Sequence, residues 1–285
     1  MNLVFHNPAI LSTDMSNSIE VGYMNYISDI QLGSAAYTQK INDRSAWMAG
    51  IRYVNYGEMR WTNAADDLLG TTYAGDLALT GAYSWKLSPH WQAGGSVSLI
   101  YSVMDEFSSV GLGVDLGLFY HNPATLFSAG FVLKNMGAEV VAYDETYEKM
   151  PWDVQFGLSK KFAHAPFRLT LTVQHLTKLS TSYLAEVAPA DGTAVSGDNL
   201  AQQIFKHTLL GVEFVPSDHF LLSLGYNYRR KSELAIAQRT AFSGFTVGFS
   251  MKVKNARVGA SFGKYHSAGS SLQLTYGMDL SKIGL

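Results

Sequence analysis

Three features of this sequence have residue types that could do chemistry: eight histidines, a glycine string at Gly111, Gly113 and Gly117, and the run Asp191-Gly192-Thr193-Ala194-Val195-Ser196-Gly197-Asp198-Asn199. Zinc hydrolysis needs two histidines one helical turn apart around a glutamate, and none of the eight has that spacing; each falls near a turn or strand end. A phosphate-binding glycine loop must open a helix, and here the pattern on both sides is that of a strand. The acidic run lacks the ligand order and closing glutamate of a calcium loop and reads as an ordinary loop. There is no G-x-S-x-G elbow, no Walker A loop and no Ser/His/Asp set. Zero Cys removes thiolate nucleophiles, disulfides and zinc–cysteine sites, and is compatible with an oxidising compartment. The reading is a non-enzyme with no catalytic residue, no metal site and no cofactor.

Composition narrows the class further. Of the 285 residues only 15% are charged, where soluble domains carry about 25%. Lys+Arg 21 against Asp+Glu 23 leaves a net charge of -2, so no basic field exists for nucleic acid, and none is expected as a partner. No run approaches the roughly 18 to 20 apolar residues of a helical membrane span. Met1 to Phe5 lack a basic stretch followed by an apolar one, so the expectation is either a cytoplasmic protein or a chain that begins after its leader.

The elements that must carry everything else are strands. Alternation of apolar and polar residues recurs almost end to end: Phe167, Leu169, Leu171 and Val173 interleave with Arg168, Thr170, Thr172 and Gln174, and Phe245, Val247, Phe249 and Met251 with Thr246, Gly248 and Ser250. About fourteen such segments are predicted, near 17–27, 30–39, 45–57, 74–87, 90–103, 107–121, 125–136, 151–162, 166–177, 206–215, 219–230, 241–252, 254–265 and 269–280. Most run about 10 to 14 residues, longer than the about 5 to 6 of soluble strands and enough to cross a bilayer at a tilt. An even count of long strands predicts an all-β fold: a transmembrane antiparallel β-barrel over 17–285, preceded by an N-terminal segment, 1–16.

Short connections alternate with longer ones at 58–74, 137–150, 178–205 and 231–240, as periplasmic turns and extracellular loops would. Tyr53, Tyr56, Trp85, Trp91, Tyr101, Tyr120, Trp152, Phe162, Tyr226, Tyr228 and Tyr265 lie near strand ends, where aromatic girdles belong. Glu20, Arg52, Asp115, Lys134, Asp153, Arg168, Glu213, Arg257 and Asp279 occupy the polar register, which predicts a lumen network paired with itself or hydrated. On the same face, Gly111, Gly113 and Gly117 leave room for something packed against the inner wall.

A family resemblance comes with particular motifs. Phe5-His6-Asn7-Pro8-Ala9-Ile10-Leu11 resembles the Asn-Pro-Ala signature of FadL-like barrels. Tyr53-Val54-Asn55-Tyr56-Gly57, the run from Gly157 to Arg168 with Lys160-Lys161-Phe162-Ala163-His164-Ala165-Pro166-Phe167, Leu210 to Phe214 and Gly225 to Arg230 resemble the PorQ barrels of the type IX secretion system, in the PorV/PorQ branch. This implies a place in the outer membrane of a Gram-negative, Bacteroidetes-type bacterium, in contact with outer-membrane lipid. It further implies an attachment complex in which a PorU-like sortase, a PorV-like barrel and a PorZ-like surface protein join cargo to lipopolysaccharide, this barrel anchoring the PorZ-like protein. Candidate partner-binding residues in the expected extracellular loops are Met59, Arg60 and Trp61, then Tyr143 and Tyr147, then Tyr183 and Leu184. Family members carry a leader and a further segment before Asn-Pro-Ala, so the expectation is a shortened N-terminus, with the lumen left open or plugged by the missing part. The chain also lacks a terminal Phe or Trp.

Two other readings compete. A FadL-like channel for hydrophobic small molecules predicts an apolar pocket near the extracellular end and a lateral opening, and the charged inner register argues for neither. A soluble all-β structural protein predicts polar residues breaking the apolar faces, which hardly occurs between 166 and 280.

Overall fold

In the computed structural model, which describes residues 1–27, 29–63, 65, 67–143, 147–177, 200–233, 244–266 and 269–282, the alternating segments form one closed antiparallel barrel of fourteen strands. They are β1 (Ser18–Asn25), β2 (Gln31–Asn42), β3 (Ser45–Thr62), β4 (Leu68–Lys86), β5 (Trp91–Met104), β6 (Phe107–Asn122), β7 (Phe127–Val141), β8 (Asp153–Lys161), β9 (Phe167–Val173), β10 (Thr208–Ser217), β11 (Phe220–Asn227), β12 (Phe245–Val253), β13 (Ala256–His266) and β14 (Gly269–Asp279). Each pairs with its sequence neighbours, and β1 closes on β14 from Ser18↔Asp279 to Asn25↔Leu272. Closure leaves no strand edge in the wall for lipid to meet. No described helix is long and apolar enough to cross a membrane.

The wall is apolar outside and polar or small inside. Leu79, Val97, Leu99, Leu116, Val247, Phe249, Leu272 and Leu274 are 46–51% exposed, which in water would be a severe liability and in lipid is the expected outer belt. Aromatic rings band its ends: Trp91 packs at a tilt against Tyr120 with centroids 5.0 Å apart, and Tyr226 against Phe245 at 4.7 Å. Two girdle expectations fail. Tyr56 turns its hydroxyl to Asp76 (2.6 Å), which lines the lumen, and Tyr228 belongs to a short helix (Tyr228–Glu233) that ends β11 early. The Tyr265 side chain lies outside the described residues.

Strand limits differ most at the end of the barrel that carries the longer connections. The connection expected at 58–74 shrinks to 63–67, because β3 and β4 continue as a ladder through Met59↔Thr72, Arg60↔Thr71 and Trp61↔Gly70. A bulge at Tyr56 and Gly57, with Gly57 at φ +77°, interrupts the alternation there and hides the continuation from a period-two reading. Likewise β7 runs to Val141, past the expected end at 136, because Asn135 at φ +55° and a register shift beside Asp115 reset the inside–outside alternation. Asp115 Oδ1 accepts the Asn135 N–H at 2.7 Å and so holds that bulge.

Candidate functional site

The inner wall of β2 to β6 is built from small residues: Ala36, Thr38, Gly50, Thr80, Ala82, Ser84, Gly94, Ser96, Ser98 and Gly117. The first sixteen residues occupy the space this leaves, as three short 3-10 turns: Asn2–Phe5, Pro8–Ile10 and Thr13–Met15. Asn7 caps the second by accepting the Ala9 N–H at 2.9 Å, and Pro8 starts it where a missing N–H costs nothing. A Cβ at Gly117 would collide with Asn7 Oδ1, one at Gly94 would meet Pro8 and Ala9 at 2.5 Å, and one at Gly50 would meet Phe5 Cζ at 2.5 Å. The segment is polar where it must be. Leu11 O accepts from Ser84 Oγ and Gln92 Nε2, and Thr13 Oγ1 accepts from Lys86 Nζ at 2.9 Å. Val4, Phe5 and Leu11 pack with Ala36, Ala46, Met48 and Ala82 into a buried apolar cluster. Residues 1–16 of this chain thus plug the lumen. Of the glycine string, Gly117 receives Asn7, while Gly111 and Gly113 face Met150 of the β7–β8 connection.

All nine charged residues predicted for the lumen sit in the inward register, but they do not form one network. Arg168 and Glu213 are ion-paired with each other, Nη1 to Oε2 at 2.8 Å. Glu20 accepts the Asn2 N–H at 2.8 Å, and the Arg52 guanidinium lies 4.9 Å from the centre of the Phe5 ring, so both serve the plug. Lys134 stands opposite Asp153, whose Oδ2 takes Gln155 Nε2 and the His175 N–H at 2.9 Å each. Arg257 lies at the mouth on the side of the short turns, and Asp279 caps Ser281 at 3.1 Å. The plug and the barrel's circumference separate these groups, which sequence alone cannot see.

Two cavities flank the plug. One, of about 220 Å³, lies between His6, Asn7 and Ile10 and the inner faces of β7 to β9. The other, about 530 Å³, lies on its side toward the longer connections, with Arg52, Asp76 and Gln273 beside Met24, Leu32, Val54 and Ile100. This second cavity departs from the sequence reading, which weighed only the charges of the inner register and passed over those four apolar residues. His6 borders both. Enclosure, then the Lys134 and Arg52 charges, hold its pKa down to about 4, against a smaller opposing pull from Asp115. A released plug would take up a proton below about pH 6.5, whereas the docked one stays neutral to about 4, so docking weakens as pH falls between those values. Limited proteolysis of the full chain should show residues 1–16 better protected at pH 7.5 than at 4.5, and His6→Gln should remove the difference.

The candidate partner residues separate. Met59, Arg60 and Trp61 are not in a loop but on the β3–β4 ribbon, which rises past the ends of β2 and β5; all three are exposed, Trp61 at 64%. Leu68, Leu69 and Tyr73, which the sequence reading did not single out, join them on β4 at 61–66%. Tyr143 and Tyr147 lie in the β7–β8 connection, Tyr147 exposed and Tyr143 partly covered. Tyr183, Leu184 and the Asp191–Asn199 run lie outside the described residues.

With this geometry in view, comparisons place the chain among known proteins. The family model described as "Type IX secretion system protein PorV" matches residues 6–183, more than half of the chain. The Pseudomonas putida toluene transporter TodX superposes with a TM-score of 0.59 at 13% identity, over 97% of this chain and 92% of that one. A Pseudomonas aeruginosa FadL homologue gives 0.55 at 12%, over 97% and 93%. At these identities the likeness shows a shared FadL-like fold. No curated protein matches.

Proposed function

Because the chain belongs to the PorV family of type IX secretion system proteins, we propose that this outer-membrane barrel works as an anchor rather than a conduit. Within that family we assign it the PorQ-like role expected above: holding a PorZ-like surface protein, next to a PorU-like sortase and a PorV-like barrel, for attachment of cargo to lipopolysaccharide. The observation that carries this reading is the combination of a lumen filled by residues 1–16 with a ribbon of exposed Met59, Trp61, Leu68, Leu69 and Tyr73 beyond the wall. A filled lumen leaves the extracellular surface as the place to act. The ribbon's outer edges have no strand partner above Asn55 on β3 and before Tyr73 on β4, so it offers both apolar anchors and main-chain partners. Arg60 adds a charge at its centre, and Tyr143 and Tyr147 belong to the same extracellular side. No catalytic step is assigned to it.

The second reading, a FadL-like channel for hydrophobic small molecules, has one observation in its favour: the cavity of about 530 Å³ above the plug. A pull-down of the tagged full-length barrel from detergent-solubilised outer membranes separates the two. Recovery of a PorZ-like protein with PorU-like and PorV-like subunits is the expected outcome. Recovery of the barrel alone with bound apolar solute overturns the anchor reading.

A further inference from the structure

Near the periplasmic rim, the inner faces of β9 to β13 carry charge that the fold does not neutralise. Lys252 on β12 and Arg257 on β13 are direct register partners in the inward register, and like charges so placed repel. Among the described residues neither side chain makes a hydrogen bond or an ion pair. Across from them Arg168 is engaged by Glu213 at 2.8 Å. Arg168, Lys252 and Arg257, with His219, Ser217 and Ser250, line a cavity of about 340 Å³. That is the lower end of the about 300–1,000 Å³ of small-ligand clefts. Three cations and one carboxylate, Asp218 of the β10–β11 turn, line the cavity, with Glu213 beside it taken by Arg168 and Asp279 on β14 bonded to Ser281, so the lining stays net positive. Ser250, on the same inward face of β12 as Lys252, adds a hydroxyl donor to the lining.

Two opposed cations that outnumber the one carboxylate lining the cavity, with the Ser250 hydroxyl beside them and an opening at the rim, have one chemical complement. We propose that this is an oxyanion site that takes a phosphate group, seated between Lys252 and Arg257. A phosphate accepts from both side chains at once and converts their repulsion into a shared attraction. The group's source is either a phosphorylated solute or a phospholipid headgroup folded over the rim. The lumen-facing position of the cluster favours the solute, since the lipid-facing register of the same strands carries Met251, Val253 and Val258. The site does not depend on the anchor reading, which concerns the opposite end of the barrel.

Calorimetry on the full-length barrel in non-ionic micelles tests this, with inorganic phosphate and glycerophosphoethanolamine as separate probes. Binding of at least one probe is expected, weakened about tenfold or more in Lys252→Gln with Arg257→Gln. Binding of phosphate identifies the solute, and binding of the headgroup probe alone identifies the lipid. Lys40→Gln, which removes an exposed rim cation already near Asp43 at 3.8 Å, should change nothing. Removing the repelling pair does not threaten the fold, and retained heat-modifiable migration checks it. Failure of both probes to bind the unsubstituted barrel overturns the proposal, as does equal affinity in the double variant.

Discussion

A barrel lacking residues 2–16 should conduct ions in a planar bilayer, at least about tenfold above the full chain, whose lumen the segment fills. What holds the plug is ordinary packing. Val4, Phe5 and Leu11 are 1%, 5% and 0% exposed, and burial of such side chains contributes about 1.5–3 kcal/mol each. Releasing all three therefore costs about 5 kcal/mol or more, which keeps the undocked fraction near 10⁻⁴. One substitution should approach the effect of the deletion. Gly117→Leu puts its Cβ where Asn7 Oδ1 sits, so the capped Asn7-Pro8-Ala9 turn must leave its niche. Gly33→Ala is the matching control, since nothing lies within 4 Å of its added Cβ. Unchanged conductance after deletion would show that the wall or the loops seal the barrel without the plug, and would remove the reason for preferring an anchor to a conduit.

Trp61→Ala with Leu68→Ser and Leu69→Ser should lower recovery of the surface protein by about thirtyfold or more, with barrel assembly unaffected. These three side chains are 61–66% exposed on a ribbon that no neighbouring strand supports, so their removal takes little from the fold. Buried aromatic anchors at interfaces are worth about 2–4 kcal/mol when truncated, which sets the size of the loss. Met59→Ala and Arg60→Ala should each act more weakly, and Tyr147→Ala tests whether the β7–β8 connection shares the surface. The measurement is quantitative co-purification from solubilised outer membranes. Undiminished recovery would move the docking surface off the ribbon.

The register of side chains was legible along almost the whole chain. Alternation in segments such as Phe167 to Val173 placed apolar residues outward and Arg168 inward, and the same rule put all nine candidate charges on the lumen side. It failed where the backbone breaks period two: at Gly57, whose bulge hid five further residues of β3, and at Asn135, whose left-handed backbone hid the end of β7. Nor did charge register reveal pairing. Arg168 and Glu213 are 45 residues apart and meet, while Arg52 instead lies over Phe5.

Sequence by itself determined the architecture, because strand length, alternation and an even strand count are local properties that only a closed barrel in lipid satisfies together. It also carried the signs of an occupied lumen, as glycines with no turn to make and an Asn-Pro-Ala turn with no visible partner. Only the tertiary structure matched one to the other. The contact between Leu11 and Ser84 spans 73 residues, and that between Asn7 and Gly117 spans still more. Such contacts depend on the barrel's curvature and on which strand faces which across the lumen, quantities that closure sets and no stretch of chain contains.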